Sequence, residues 1–221
     1  MCKIGQQHTF RLEPLVELIS GQVVGHELLA GENGCPNYDM SGWRRFYRFL
    51  ENEIPCILQQ NEGLLFVNLD AMQMLDPEIS TSVMNLKSYR KRLVLEWTEQ
   101  HFHSDHFIAV IAKIAFFKSL GFKIAVDDIG SGIDGMGRAH SCRPHFGKID
   151  GQILERARKS ENGQKHLYIR GMVDSLRSHG ALVIVEWIES AQDRDIALAA
   201  GADLGQGYLW TKSNGEENIC V

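Results

Sequence analysis

No stretch of this 221-residue chain approaches the roughly 20 consecutive apolar residues of a membrane-spanning helix. The opening Met1-Cys2-Lys3-Ile4-Gly5-Gln6-Gln7 lacks the apolar core of a secretory signal. No membrane partner is expected, and the chain reads as cytoplasmic. Basic charge is not in excess either. With a formal net charge of −5, a nucleic-acid polymer is not an expected partner, and any phosphate ligand has to be met locally by metal ions or a few placed cations. Cys2, Cys35, Cys56, Cys142 and Cys220 are scattered and never spaced Cys-x-x-Cys, which argues against disulfides and a structural zinc site. No sequence repeat of about 20 to 50 residues marks a solenoid.

What the chain does have is a series of short apolar runs, each ending in a polar chelating side chain. The fullest is Lys123-Ile124-Ala125-Val126-Asp127-Asp128-Ile129-Gly130-Ser131-Gly132, where a buried run ends in two adjacent carboxylates and a glycine-rich turn. Neighbouring acids repel and resist desolvation, so they call for a metal, a cation or open water. Similar runs end at Glu27, Asn68, Glu96, Lys148-Ile149-Asp150, Glu186 and Gln206. They recur about every 20 to 40 residues with helical stretches between, the cadence of a βα array with its chemistry on one strand-end face. The length suits one domain over 1–221, with a core over about 8–210 and a polar tail over 211–221.

The element reading begins with a hairpin, His8 to Leu18 and Val23 to Leu29, so strict βα alternation starts only after it. Ser41 is expected to cap a helix whose Trp43, Phe46 and Tyr47 pack the core. Asp76-Pro77-Glu78 starts another helix, and Ser104 or Asp105 opens one that closes at Gly121. Residues 140–144 read as a poorly patterned connection and 158–163 as polar and exposed. Ser190 caps a helix to Ala199, and the last strand is placed near Ala202 to Trp210.

If these strands close a barrel, Glu27, Asn68, Glu96, Asp127, Asp128 and Glu186 converge on one mouth with Lys148 among them. Oxygen donors without cysteine suit Mg²⁺ or Mn²⁺, and the adjacent aspartates suit two ions that activate water and stabilise a leaving oxygen. Lys148 and Glu186 would handle the attacking water and its proton. A dinucleotide-binding turn at Gly130-Ser131-Gly132-Ile133-Asp134-Gly135 fits poorly, because Asp127 and Asp128 would face a pyrophosphate. His101, His103 and His106 lack a spaced fourth ligand for zinc.

His26-Glu27-Leu28-Leu29, Val67-Asn68-Leu69, Glu96-Trp97-Thr98-Glu99, Asp127-Asp128-Ile129-Gly130-Ser131-Gly132, Lys148-Ile149-Asp150, Glu186-Trp187-Ile188-Glu189 and Gly205-Gln206-Gly207-Tyr208-Leu209 resemble, in order, the motif series of EAL-domain cyclic di-GMP phosphodiesterases. The resemblance covers residues 10–210. It implies an α/β fold, a modified TIM-like (β/α)8 barrel with one antiparallel strand, and hydrolysis of cyclic di-GMP to pGpG. By motif position, Glu27, Asn68, Glu96 and Asp127 would hold one Mg²⁺ or Mn²⁺, with Asp127 and Asp128 serving a second. Glu186 matches the general base, Lys148 the lysine at the attacking water, and Gln206 a polar member of the metal and water network. Glu99 matches a residue that holds the loop from Gly130 to Gly135, and Glu189, Leu29, Gly130, Ser131 and Gly132 fall at substrate or loop support positions. The family's tendency to dimerise makes a homodimer a further expectation, with no apolar patch in the sequence assigned to it.

Two departures bear on substrate. The family's phosphate-gripping arginine is Gly31 here, and its Gln-Pro pair on the first strand is Glu13-Pro14. The metal site reads as intact and the substrate grip as weakened, so that Gly31→Arg would be expected to tighten binding. An alternative reading is a catalytically feeble domain acting as a cyclic di-GMP receptor or protein-interaction module; a third is a metal phosphodiesterase for another substrate.

Overall fold

The structure is a computed structural model and describes residues 8–31, 34–98, 104–131, 135–160 and 164–211. Among these residues, eight strands close into a barrel in sequence order. β1 (Phe10–Glu17) and β2 (Val23–Ala30) form the antiparallel hairpin, turning at Gly21, whose φ of +72° suits glycine. β3 (Leu64–Leu69), β4 (Leu93–Trp97), β5 (Lys123–Ile129), β6 (Phe146–Ile149), β7 (Leu182–Val185) and β8 (Leu204–Gly205) continue parallel to β2, and β8 closes antiparallel onto β1. The fold is therefore an α/β, TIM-like barrel with one antiparallel strand.

Two apolar layers hold it. Inside the barrel, Leu15, Phe66, Val94, Ala125, Phe146, Ile184 and Leu204 form a plug, with the Phe66 and Phe146 rings edge to face at 5.1 Å. Between sheet and helices, the alternate strand residues meet the inner stripes of the helices, such as Leu50 and Ile54 of α1 (Met40–Gln60). Such a buried core needs no further account than apolar area removed from water, about 25 cal/mol per Å².

Several local expectations are corrected. Asp39, not Ser41, caps α1, accepting from the Gly42 amide at 2.7 Å, because its carboxylate sits one turn ahead of the first free amides. A short α2 (Ala71–Leu75) precedes α3 (Pro77–Asn85) and is fixed by the Asp70–Gln73 capping box. A 3₁₀ turn over 104–106 leads into α4 (Phe107–Ser119). The connection over 140–144 is the end of α5 (Gly135–Cys142), and Arg158 ends α6 (Gly151–Arg158), two helices too short to declare themselves. Beyond α7 (Leu167–Arg177), α8 (Ala191–Ala200) has the expected Ser190 cap. The last strand shrinks to β8, since the chain leaves the sheet at Gln206 and coils into α9 (Tyr208–Thr211). No helix among the described residues is long and apolar enough to cross a membrane.

One packing contact positions the site. Trp187 lies two residues past the end of β7 with φ +55°, and its ring covers Gly151 so closely that a Cβ there would overlap it. Gly151→Ala is expected to push Trp187 aside, costing about 1 to 3 kcal/mol by overpacking. A urea titration followed by tryptophan fluorescence checks it; an unchanged midpoint and spectrum would show that the contact does not constrain Trp187.

Candidate active site

The polar groups sit one step above the plug. Along β3 to β7, side chains alternate across the sheet, so the residue two beyond each plug residue also points inward. Those residues are Asn68, Glu96, Asp127, Lys148 and Glu186, and Gln206 follows Leu204 in the same way. On antiparallel β1 the mouth lies in the other direction, so Leu15 is followed by Glu13 and then Arg11. Glu13 pairs across the hairpin with Glu27. Each strand thus contributes one polar residue to a ring at the mouth.

At β5 the alternation breaks. The β5–β6 register shifts between Val126 and Ile129, and Asp128 adopts φ +56°, a strained conformation for a non-glycine residue. This bulge turns both adjacent acids to the same mouth. Oxygens of Asp127, Asp128 and Glu186 lie within 4.8 Å of one another.

Lys148 is the hub. Its buried ammonium lies 2.9 Å from Glu27, 2.8 Å from Glu96, 2.7 Å from Glu186 and 3.5 Å from Asp127. Burial disfavours its charge, but the carboxylates of Asp127, Glu186, Glu27 and Glu96 outweigh that and hold its pKa well above the usual lysine value. Glu27 is likewise desolvated, yet Lys148 and hydrogen bonds from Asn68 (2.7 Å) and Gln206 (2.7 Å) hold its carboxyl below the ordinary range. The other acids go the opposite way. Burial, and then Glu27, push Glu96 well up; burial raises Asp127, and it lifts Glu186 to about 8.

The chemistry of this set fits hard divalent cations. Asn68 Oδ1, Glu96 Oε2, Asp127 Oδ1 and Gln206 Oε1 are buried without a hydrogen-bond partner. A buried acceptor left unsatisfied costs about 1 to 3 kcal/mol, and all four are oxygens, the ligand type that Mg²⁺ and Mn²⁺ prefer. Five carboxylates face one ammonium in the cluster, a deficit that two divalent ions would balance.

The remaining expected positions divide. Ser131 donates to the Asp150 carboxylate, which caps α6 at the Gln152 amide, 2.6 Å away, so the turn after β5 is tied to the end of β6. Gly130 (φ +98°) packs against Ile153 and Met172, and Leu29 lines the cleft above the acids. Glu189 is not brought into the cluster; it lies half-exposed, 3.8 Å from Arg158. Glu99 and Gly132 fall outside the described residues, as do His101 and His103.

Three features escaped the sequence reading. Arg138 of α5 is fully buried, donating to the Asp127 carbonyl at 2.8 Å and the Trp97 carbonyl at 3.2 Å. The buried positions Gly135, Arg138, Ala139 and Cys142 have helical spacing, the signal that could have found it. Tyr47, read as packing, also donates its hydroxyl to the Asn68 carbonyl. With Trp43 and Phe46 it walls a cleft of about 200 Å³ over the acids. The third is Arg11, which lines the same cleft. Gly31, for its part, has φ +79°, and a Cβ there would collide with the Gly34 carbonyl. An arginine at 31 would therefore strain this turn, a backbone cost that stands against any gain in grip from Gly31→Arg.

Comparison with known proteins gives consistent relatives. The chain is 30% identical over 167 residues to YkuI, an uncharacterized EAL-domain containing protein of Bacillus subtilis (strain 168), covering 73% of this chain and 39% of that protein. It is 26% identical over 187 residues to PdeA of Escherichia coli (strain K12), described as a probable cyclic di-GMP phosphodiesterase, covering 82% and 25%. The chain thus spans well under half the length of both. Among solved structures, a standalone EAL protein from Vibrio cholerae O395 in a c-di-GMP bound form superposes with a TM-score of 0.77 at 21% identity, covering 93% of this chain and 92% of that one. The manganese/cy-diGMP complex of Klebsiella pneumoniae BlrP1 gives 0.75 at 22% identity, covering 95% and 56%. The EAL domain family model matches residues 43–213, which is most of the sequence, and the chain belongs to the EAL domain family.

Proposed function

We propose that this chain is a metal-dependent phosphodiesterase that hydrolyses cyclic di-GMP to pGpG. The observation that carries the reading is the ring of inward carboxylates around Lys148, with four buried acceptor oxygens lacking a hydrogen bond at the barrel mouth. Glu27, Asn68, Glu96, Asp127 and Asp128 would hold two Mg²⁺ or Mn²⁺ ions. These would neutralise phosphate charge and lower the pKa of water. Glu186, whose carboxyl burial raises to about 8, takes the proton of the water that attacks phosphorus; the P–O3′ bond breaks and the departing oxygen takes a proton. Lys148 orients Glu186 across 2.7 Å, and Gln206 holds Glu27 in place.

The deciding assay incubates the protein with cyclic di-GMP and Mn²⁺ or Mg²⁺ and follows substrate and pGpG by chromatography. Metal-dependent product is expected, and Glu186→Ala should lower kcat at least about 100-fold while ligand binding stays within a few-fold. Undiminished turnover in that variant removes Glu186 from the mechanism. No product from the parent, with ligand still bound in calorimetry, makes the domain a receptor.

Proton linkage gives a second test. The Glu186 pKa is raised from 4.5 to about 8 on folding, so its stabilising contribution is complete below the lower value and is lost as pH rises through the upper one. Glu96 and Asp127, also raised, act in the same sense. His8, His26 and His145, each held below 6.5 first by burial, act oppositely. The Glu186 share is therefore read as the difference in melting temperature between parent and Glu186→Gln. Without metal, the parent should lose stability relative to the variant from about pH 5 to about pH 8, and Mn²⁺ should stabilise the parent most at the upper end. A difference that stays flat would contradict the raised pKa.

A further inference from the structure

We propose that Arg11 is the residue that grips a substrate phosphate, taking from β1 the task that Gly31 has no side chain to perform. The inference rests on the proposed function and names a recognition residue for the same site. Arg11 lies on the inward face of β1, two residues nearer the mouth than Glu13, and pairs across the hairpin with Leu29. Among the described residues lining the cleft it is the one cationic side chain; the charged residues it faces there are Glu27, Asp70, Asp127 and Asp128. A dianionic dinucleotide entering that cleft meets four carboxylates, and of the cleft lining only this guanidinium, beside any bound metal, attracts it.

The side chain is held loosely enough to take a ligand. Its contacts are long: Nη1 to the Gly31 carbonyl at 3.3 Å and Nη2 to Glu13 at 3.4 Å, with the side chain 36% exposed. A guanidinium has five donors in a planar fork that matches phosphate oxygens two at a time, so two long contacts aim it without exhausting it. The Gly31 backbone thus serves the grip indirectly. Its left-handed turn excludes a side chain at 31 and presents a carbonyl that steers the arginine of the neighbouring strand. Glu13 competes for the same guanidinium and should weaken the grip.

The test measures cyclic di-GMP binding by calorimetry with Mn²⁺ in a Glu186→Ala background, and KM and kcat in the active protein. Arg11→Ala is expected to weaken binding and raise KM about 10- to 100-fold, with kcat within about 3-fold and Mn²⁺ affinity unchanged. Arg11→Lys should recover part of the loss. Glu13→Gln, which keeps an acceptor for Gln206 but removes the competing charge, should tighten binding several-fold and stands as the check should Arg11→Ala fold poorly. If Arg11→Ala or Glu13→Gln binds as the parent does, the assignment is wrong while the phosphodiesterase reading stands. If the parent neither binds nor hydrolyses cyclic di-GMP, the proposed function fails and the assignment fails with it.

Discussion

The ion cluster around Lys148 is the constraint to which the rest of the barrel answers. Taking one ammonium and several carboxylates out of water costs several kcal/mol per ion, and the interior repays this only where the geometry is held tightly. Here the holding is done by strands. Glu27, Glu96 and Lys148 stand on three different strands and Glu186 just past the end of a fourth, so their contacts of 2.7 to 2.9 Å exist only when the barrel is closed. The apolar plug one layer below fixes the strand spacing, and the mouth above stays open to ligand. The chemistry depends on closure, and the plug provides it.

That dependence explains why so much was legible in the sequence. A parallel barrel strand buried on both faces shows an apolar run, and its inward residues repeat every second position, so a polar residue two past a plug residue must face the mouth. Phe66 then Asn68, Val94 then Glu96, Phe146 then Lys148 and Ile184 then Glu186 all follow this rule. A carboxylate at the end of an apolar run is conspicuous because nothing about stability asks for it. The strands, the hairpin and the ring of oxygen donors could accordingly be read before any coordinates.

What could not be read was set by tertiary context. The side to which Asp128 turns depends on a bulge defined by the β5–β6 register, which no local pattern announces. Arg138 belongs to an eight-residue helix too short for its periodicity to stand out, and its role comes from the carbonyls of Trp97 and Asp127 on two neighbouring strands. Glu186 near Lys148 looks like a simple ion pair on paper; only burial beside further acids lifts its pKa toward neutrality. The character of Gly31 depends on the Gly34 carbonyl three residues on, so its substitution could be seen and its backbone could not.

The antiparallel first strand accounts for the remaining asymmetry between chemistry and recognition. Seven strands deliver residues near their C-terminal ends to the mouth, where loops must then carry the chain away. β1 runs the other way, so residues near its N-terminal end reach the same place, with Glu13 level with the acid ring and Arg11 one step above it. A change on β1 therefore alters charge at the rim while the oxygen donors on β2 to β5 and Lys148 on β6 keep their own strands. In this chain Gln206 donates to both Glu13, at 3.2 Å, and Glu27, at 2.7 Å, so Glu13 adds negative charge beside the acids, while Arg11 lies 3.4 Å from it on the rim side. Charge at the rim can thus vary along this one strand while Lys148 and the acids it pairs with stay on theirs, Gln206 being the shared contact through which Glu13 reaches Glu27.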